Sequence, residues 1–187
     1  SLLLMTKDCL IAVRDPVGIR PLVIGKLNDS YVFSSESCGL DIIGAELVRD
    51  VEPGEIIVVK NNRLESIKPF SKSYLRPCLF EYIYFARPDS ILDGRNVYQV
   101  RKKIGHELAA ENLDDREKID VVIPIPDSGN ASALGYAEKI GRNFDLGIIR
   151  NHYTGRTFIQ ESNTIRNLSV KLKHNPNLNS LKNKNIA

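Results

Sequence analysis

Apolar residues in the first third of the chain come in short runs: Leu2–Met5, Leu10–Val13, Leu22–Ile24 and Tyr31–Phe33. Turn formers separate them, namely Lys7-Asp8, Asp15-Pro16-Val17-Gly18 and Asn28-Asp29-Ser30. Short apolar runs punctuated in this way predict strands. The opening run, Ser1 to Met5, reads as a buried strand already under way. Ser37–Ile43 predicts a short helix that stops at Gly44. After the Pro53-Gly54 turn, Glu55–Lys60 and Arg63–Ile67 predict a hairpin around Asn61-Asn62. Closely spaced strands with little helix make this the sheet part of an α+β domain.

The pattern changes after the polar, proline-flanked stretch Pro69–Pro77, which reads as a linker. Phe80–Phe85 is aromatic and apolar. Val97, Val100, Ile104 and Leu108 then recur at helical spacing and predict a helix over Asn96–Asn112. A strand at Val121–Ile125, a helix at Ala131–Gly141 and a strand at Leu146–Arg150 follow. Alternating helix and strand predicts a parallel sheet. Asn151–Ser169 is polar, basic and aperiodic, which leaves a functional loop or disorder. Lys184-Asn185-Ile186-Ala187 reads as the start of a further strand.

Composition narrows the class of protein. With 42% hydrophobic and 26% charged residues, the chain is that of an ordinary soluble globular protein. No apolar run approaches the roughly 18 residues of a spanning helix. The apolar start has neither a basic flank nor a small-residue cleavage site, so it is not a signal peptide. Cys9, Cys38 and Cys78 are scattered, without C-x-x-C spacing, as expected of thiols in a reducing compartment such as the cytoplasm. Net charge is +3, yet Arg150–Ala187 holds seven Lys or Arg against one Glu, so the rest of the chain is net acidic. A basic end suits an anionic ligand, and no aromatic ladder or regular basic stripe points to nucleic acid.

The stretch with most chemistry is Ile119–Ser132, I-D-V-V-I-P-I-P-D-S-G-N-A-S. Strand, tight loop and helix in that order present backbone N–H groups and a helix N-terminus at a sheet's carboxyl edge, which suits a phosphate or pyrophosphate. Asp127 and Ser128 add oxygens of the kind that face a hydrated Mg²⁺. The plainer alternative is an ordinary turn with Ser128 or Asn130 as the helix N-cap.

Several motifs resemble one family. Asp15-Pro16-Val17-Gly18-Ile19-Arg20-Pro21-Leu22 and Phe33-Ser34-Ser35-Glu36-Ser37-Cys38-Gly39-Leu40 are similar to segments of N-terminal-nucleophile (Ntn) glutaminase domains. Phe80-Glu81-Tyr82-Ile83-Tyr84-Phe85-Ala86-Arg87-Pro88-Asp89-Ser90 resembles the segment joining the two domains of the amidophosphoribosyltransferases. Ile123-Pro124-Ile125-Pro126-Asp127-Ser128 resembles that family's pyrophosphate loop, and Gly155-Arg156-Thr157-Phe158-Ile159-Gln160 its mobile loop.

The resemblance implies α+β plus α/β architecture. Residues 1–76 would be the C-terminal part of an Ntn-type αββα glutaminase domain with its linker. Residues 77–187 would be the N-terminal part of a type I phosphoribosyltransferase domain. It implies an enzyme that hydrolyses glutamine and passes ammonia to phosphoribosyl pyrophosphate (PRPP), releasing pyrophosphate and forming 5-phosphoribosylamine. Mg²⁺, purine nucleotide inhibitors and a homo-oligomer are implied as well, and neither nucleic acid nor membrane. Substrate binding would fall to Asp127, Ser128, Gly129, Arg150, Tyr153, Gly155, Arg156 and Thr157, with Ser128 beside the metal. Cys78 stands where some members place one ligand of a [4Fe–4S] cluster. Arg20 and Arg87 are expected to brace structure through carboxylates. The chain departs from the family at His152, where arginine is usual, so the charge there becomes pH-dependent.

A catalytic glutaminase of this type uses an N-terminal cysteine, and residue 1 is Ser. The family's acidic ribose-phosphate motif is also absent. The expectation is therefore an internal fragment that carries no catalytic residue and is inactive alone. Other expectations of the same residues are a non-catalytic purine-nucleotide-binding or structural remnant, or another glutaminase-fused phosphoribosyltransferase.

Overall fold

A computed structural model describes residues 1–112, 116–155 and 162–187, which divide into two compact units, Ser1–Val100 and Arg101–Ala187. The first unit begins with β1 (Leu2–Met5), β2 (Cys9–Val13), β3 (Val23–Leu27) and β4 (Ser30–Ser34). Helix α1 (Ser37–Ile42) and strands β5 (Glu46–Asp50), β6 (Ile56–Lys60) and β7 (Arg63–Ile67) follow. Two antiparallel sheets result, in the orders β1-β2-β6-β7 and β4-β3-β5. Ala12, Leu22, Ile24, Val51 and Ile57 form a buried core drawn from both sheets, with Tyr31, Phe33, Val59 and Leu64 against it. Each fully buried aliphatic side chain contributes about 1.5–3 kcal/mol relative to exposure. Leu40 of α1 packs with Val23 and Ala45, beside Leu27 and Val32. The predicted hairpin is present, with Asn61 and Asn62 both at positive φ, the primed turn that such pairs favour. β1 is a strand as its apolar run predicts, at the sheet's edge, but its four residues are exposed rather than buried, and none of them joins the buried clusters of this unit.

Residues beyond the linker still belong to the first unit. A π-helical turn spans Glu81–Phe85, followed by the small hairpin β8 (Ile91–Leu92) and β9 (Arg95–Asn96) and by α2 (Val97–Glu111). Tyr82, Ala86, Leu92 and Val97 make a second buried cluster. The Cys78 N–H donates to Ile19 O at 2.9 Å, and Arg20 pairs with Glu81 at 2.7 Å. Glu36 accepts from Arg87 N–H and from Ser90 Oγ–H, both at 2.8 Å. These bonds explain why the compact boundary falls at Val100, later than the family-domain division expected at 76/77.

The second unit continues with a 3₁₀ turn at Arg116–Lys118, β10 (Val121–Val122), α3 (Asn130–Ile140), β11 (Asn143–Phe144), β12 (Ile148–Arg150), α4 (Asn163–Lys173), β13 (His174–Pro176) and α5 (Leu178–Leu181). β10 pairs in parallel with β11, and Val121 bridges in parallel to Ile186, where a further strand was expected. Three expectations change. The strand at Val121–Ile125 closes after Val122, since Pro124 and Pro126 have no N–H to continue a ladder. The parallel neighbour of β10 is β11; the Leu146–Arg150 segment instead supplies β12, which pairs antiparallel with β13. The aperiodic Asn151–Ser169 stretch contains most of α4, whose N-cap Ser162 accepts from Ile165 N–H at 3.3 Å. Gly141 ends α3 in the left-handed region at φ 67°.

Helix α2 runs on from the first unit into the second, and there, from Arg101 onward, it touches α3 backbone to backbone. A Cβ on Gly105 would lie 1.9 Å from Ser132 O, and one on Gly135 would lie 2.0 Å from Lys102 O. Ser132 Oγ–H donates to Arg101 O at 3.0 Å across the same crossing. This close contact seats α3, and with it the loop before it.

Candidate functional site

That loop, residues 123–129, leaves the carboxyl end of the parallel strand β10 and enters α3. The Gly129 N–H donates to Ile125 O at 3.0 Å and the Asn130 N–H to Asp127 O at 3.2 Å. The Pro126–Asp127 peptide is cis. A Cβ on Gly129 would sit 2.8 Å from Ile125 O and 3.1 Å from Ile125 N. Both neighbours are backbone and cannot swing aside, so the position requires glycine. The plainer N-cap reading fails for both candidates: Gly129 holds the cap position, and no side chain caps α3. Ser128 is exposed, and the Asn130 Oδ1 is buried without a hydrogen-bond partner.

Arg150 comes to this loop from the end of β12. Its Nη1 donates to Asp127 Oδ2 in an ion pair, while its Nε is buried without a partner. The backbone beside it is anchored, since Asn151 N–H donates to Lys173 O at 2.7 Å. Asp127, Ser128, Gly129 and Arg150 thus lie together. Tyr153 is fully exposed, with its N–H on Asn151 Oδ1 at 3.0 Å, and Gly155 has open space where a side chain would stand. Arg156 and Thr157 lie outside the described residues. The Asp127–Arg150 pair and the unpartnered Asn130 Oδ1 carry no sequence signal, because they depend on how the chain packs around the loop.

Asp127 and Ser128 offer hard oxygens, the type Mg²⁺ takes. Arg150 already engages one Asp127 oxygen, and among the described residues no group of three or more His, Cys, Asp or Glu could hold a metal. The set therefore suits a Mg²⁺ carried mainly by water and substrate phosphates. A [4Fe–4S] cluster takes four thiolates and the sequence has three cysteines, all free, so Cys78 would supply one ligand of a set that this chain does not complete.

The other charged clusters hold structure. Buried Arg14 donates to Val51 O at 2.7 Å and pairs with Asp93 at 3.3 Å. Burial pushes the Glu55 carboxyl up, but hydrogen bonds from Arg49, Ser66 and the Glu52 N–H outweigh it and hold the group at about 2. Burial raises Glu81 despite the Arg20 charge. Arg87 pairs with Asp89 at 2.7 Å. Arg20 and Arg87 are thus bound to carboxylates, as their sequence reading anticipated.

This mixed α and β architecture is that of solved glutamine PRPP amidotransferases. The B. subtilis enzyme, complexed with ADP and GMP, superposes with a TM-score of 0.89 at 41% identity, covering 98% of this chain and 40% of that one. A structure described as the allosteric regulatory enzyme of purine biosynthesis gives 0.88 at 41% identity, over 98% of this chain and 39% of that one. Amidophosphoribosyltransferase of Rhizobium etli is 51% identical over 192 aligned residues, covering 100% of this chain and 38% of the relative. The Methanocaldococcus jannaschii protein of the same name is 46% identical, covering 100% and 42%. The chloroplastic one of Glycine max is 50% identical, covering 94% and 31%. No protein-family model matches the chain. The chain is homologous over nearly all of its length to part of the amidophosphoribosyltransferases, and it spans less than half the length of these relatives. Among the described residues no helix is long and apolar enough to cross a membrane.

Proposed function

We propose that the protein containing this chain is an amidophosphoribosyltransferase, which opens de novo purine biosynthesis. It hydrolyses glutamine and uses the ammonia to convert PRPP to 5-phosphoribosylamine and pyrophosphate. Residues 1–76 belong to the glutaminase domain and residues 77–187 to the phosphoribosyltransferase domain. In the second step the ammonia nitrogen bonds to ribose C1, the C1–O bond to pyrophosphate breaks, and pyrophosphate leaves with the electron pair. The nitrogen then loses a proton.

The observation that carries this reading is the 126–130 loop, with Gly129 stripped to backbone, α3 uncapped and Arg150 alongside. Such a loop binds the pyrophosphate end. The close backbone and the Ser128 hydroxyl orient the leaving group, and Arg150 offsets the charge growing on it. Tyr153, Gly155, Arg156 and Thr157 belong to a loop that closes over PRPP and keeps water out. Mg²⁺, bound with the substrate beside Ser128, would neutralise pyrophosphate charge. Purine nucleotides act as inhibitors, in keeping with the B. subtilis relative complexed with ADP and GMP. The complete protein is a homo-oligomer, and its free thiols fit a reducing compartment such as the cytoplasm.

Ser128→Ala in the complete enzyme tests the site. Losing one hydroxyl bonded to a charged group should slow ammonia-dependent pyrophosphate release about tenfold or more, while glutamine hydrolysis stays intact. Equal loss of both activities would refute the assignment.

A further inference from the structure

Asp127 is an odd residue for a loop that takes pyrophosphate, since its carboxylate repels the ligand. Its geometry supplies a reason. Oδ2 accepts from Nη1 of Arg150, and no other ion pair among the described residues touches the loop. The carboxylate is half-exposed, the guanidinium about one-third exposed, and Arg150 Nε is buried with no partner. One contact leaves most of the guanidinium's donor fork uncommitted. A phosphate group matches that fork better than a singly engaged carboxylate does.

We infer that Asp127 is a positioning residue that competes with the ligand for Arg150. Without ligand it holds the guanidinium at the mouth of the loop in a neutralised pair. An incoming phosphate takes Arg150 from it, and Asp127 passes to water or to the ligand's own cation. The inference rests on the pyrophosphate reading of the loop and adds a direction to it: the carboxylate lowers affinity. Asn at this position keeps an oxygen to orient Arg150 and removes the competing charge. An exposed pair is weak, so the Asn variant should bind inorganic pyrophosphate about 1.4- to fivefold tighter at low salt.

The test is calorimetric titration of the full chain with inorganic pyrophosphate, free of divalent metal, on four proteins: wild type, Asp127→Asn, Arg150→Gln and the double variant. Circular dichroism confirms that each is folded. Tightening by Asp127→Asn that mostly disappears in the Arg150→Gln background supports the inference. Weaker binding of Asp127→Asn overturns it, as does no change. An equal gain in both backgrounds also overturns it, since that is plain repulsion without Arg150. If Arg150→Gln loses structure, Arg150→Lys serves, and the gain should persist there because the cation remains. Absence of binding by both wild type and Asp127→Asn refutes the pyrophosphate reading itself. Binding by wild type that Asp127→Asn leaves unaltered refutes only the role given to Asp127.

Discussion

Glu55 and Asp127 are both carboxylates paired to an arginine, and the two pairs have opposite characters. Glu55 is 1% exposed and accepts four hydrogen bonds: Arg49 at 2.7 and 2.8 Å, Ser66 Oγ–H at 2.6 Å and the Glu52 N–H at 2.7 Å. Asp127 is half-exposed and holds Arg150 through one contact. A carboxylate with every lone pair occupied is part of the scaffold. A carboxylate with one partner in solvent can let that partner go. Charge serves to fix the antiparallel layers in the first unit and is left available at the loop of the second.

This contrast can be broken from either side. The largest effect is expected where the second unit is as unforgiving as the first, at the α2–α3 crossing. Gly135→Val must push a backbone carbonyl away, and should lower stability by about 3 kcal/mol, read by denaturant unfolding. A loss below 1 kcal/mol, roughly the floor for overpacking, would mean that the helices are free to separate. Glu55→Gln comes next. It leaves Arg49 facing a neutral group and should lose about 2 kcal/mol, while Asp127→Asn should stay within about 0.5 kcal/mol of wild type. Similar losses in the two variants would erase the distinction.

Acid should expose the same difference. The Glu55 carboxyl sits at about 2 in the folded state, below its ordinary 4.5. The unfolded chain therefore takes up this proton more readily. The stabilisation is complete above about pH 4.5 and is lost as pH falls toward 2. Its size is about 2 kcal/mol after allowing for screening at the partly exposed Arg49. Glu81 and Asp50, which burial raises, act in the opposite sense on acidification. Unfolding followed against pH should show the Glu55 contribution vanish in Glu55→Gln. The smallest effect is expected for Arg150→Gln, with stability changed by less than about 0.5 kcal/mol and the loss confined to pyrophosphate binding.

Much of this was legible along the chain because it depends on neighbours in sequence. Strand spacing, the Asn61-Asn62 hairpin and the helices at Val97–Glu111 and Asn130–Ile140 follow from apolar period and turn chemistry, within a residue or two at each end. The P-I-P-D-S-G stretch was visible as a loop suited to an anion because proline, glycine and the helix after it are all local. For α4 the local signal was present, since Ile165, Leu168 and Leu172 keep the i, i+3, i+7 spacing of an amphipathic helix behind the Ser162 N-cap, and the polar, basic run before it masked that short pattern. The strand ran shorter than its apolar run because the prolines inside it carry no donor.

By itself the sequence determined the order of elements, the family motifs and the residue types at the loop, since each rests on contacts within a few positions. Only the tertiary structure decided which strands pair, that β11 rather than β12 lies beside β10, and that Arg150 reaches Asp127. It alone turned Gly129 from a flexible residue into one with no room for a side chain, and left α3 without the cap that Ser128 or Asn130 could have formed. The reason is distance along the chain. An ion pair between positions 127 and 150 depends on where a strand end comes to rest, and no local preference encodes that.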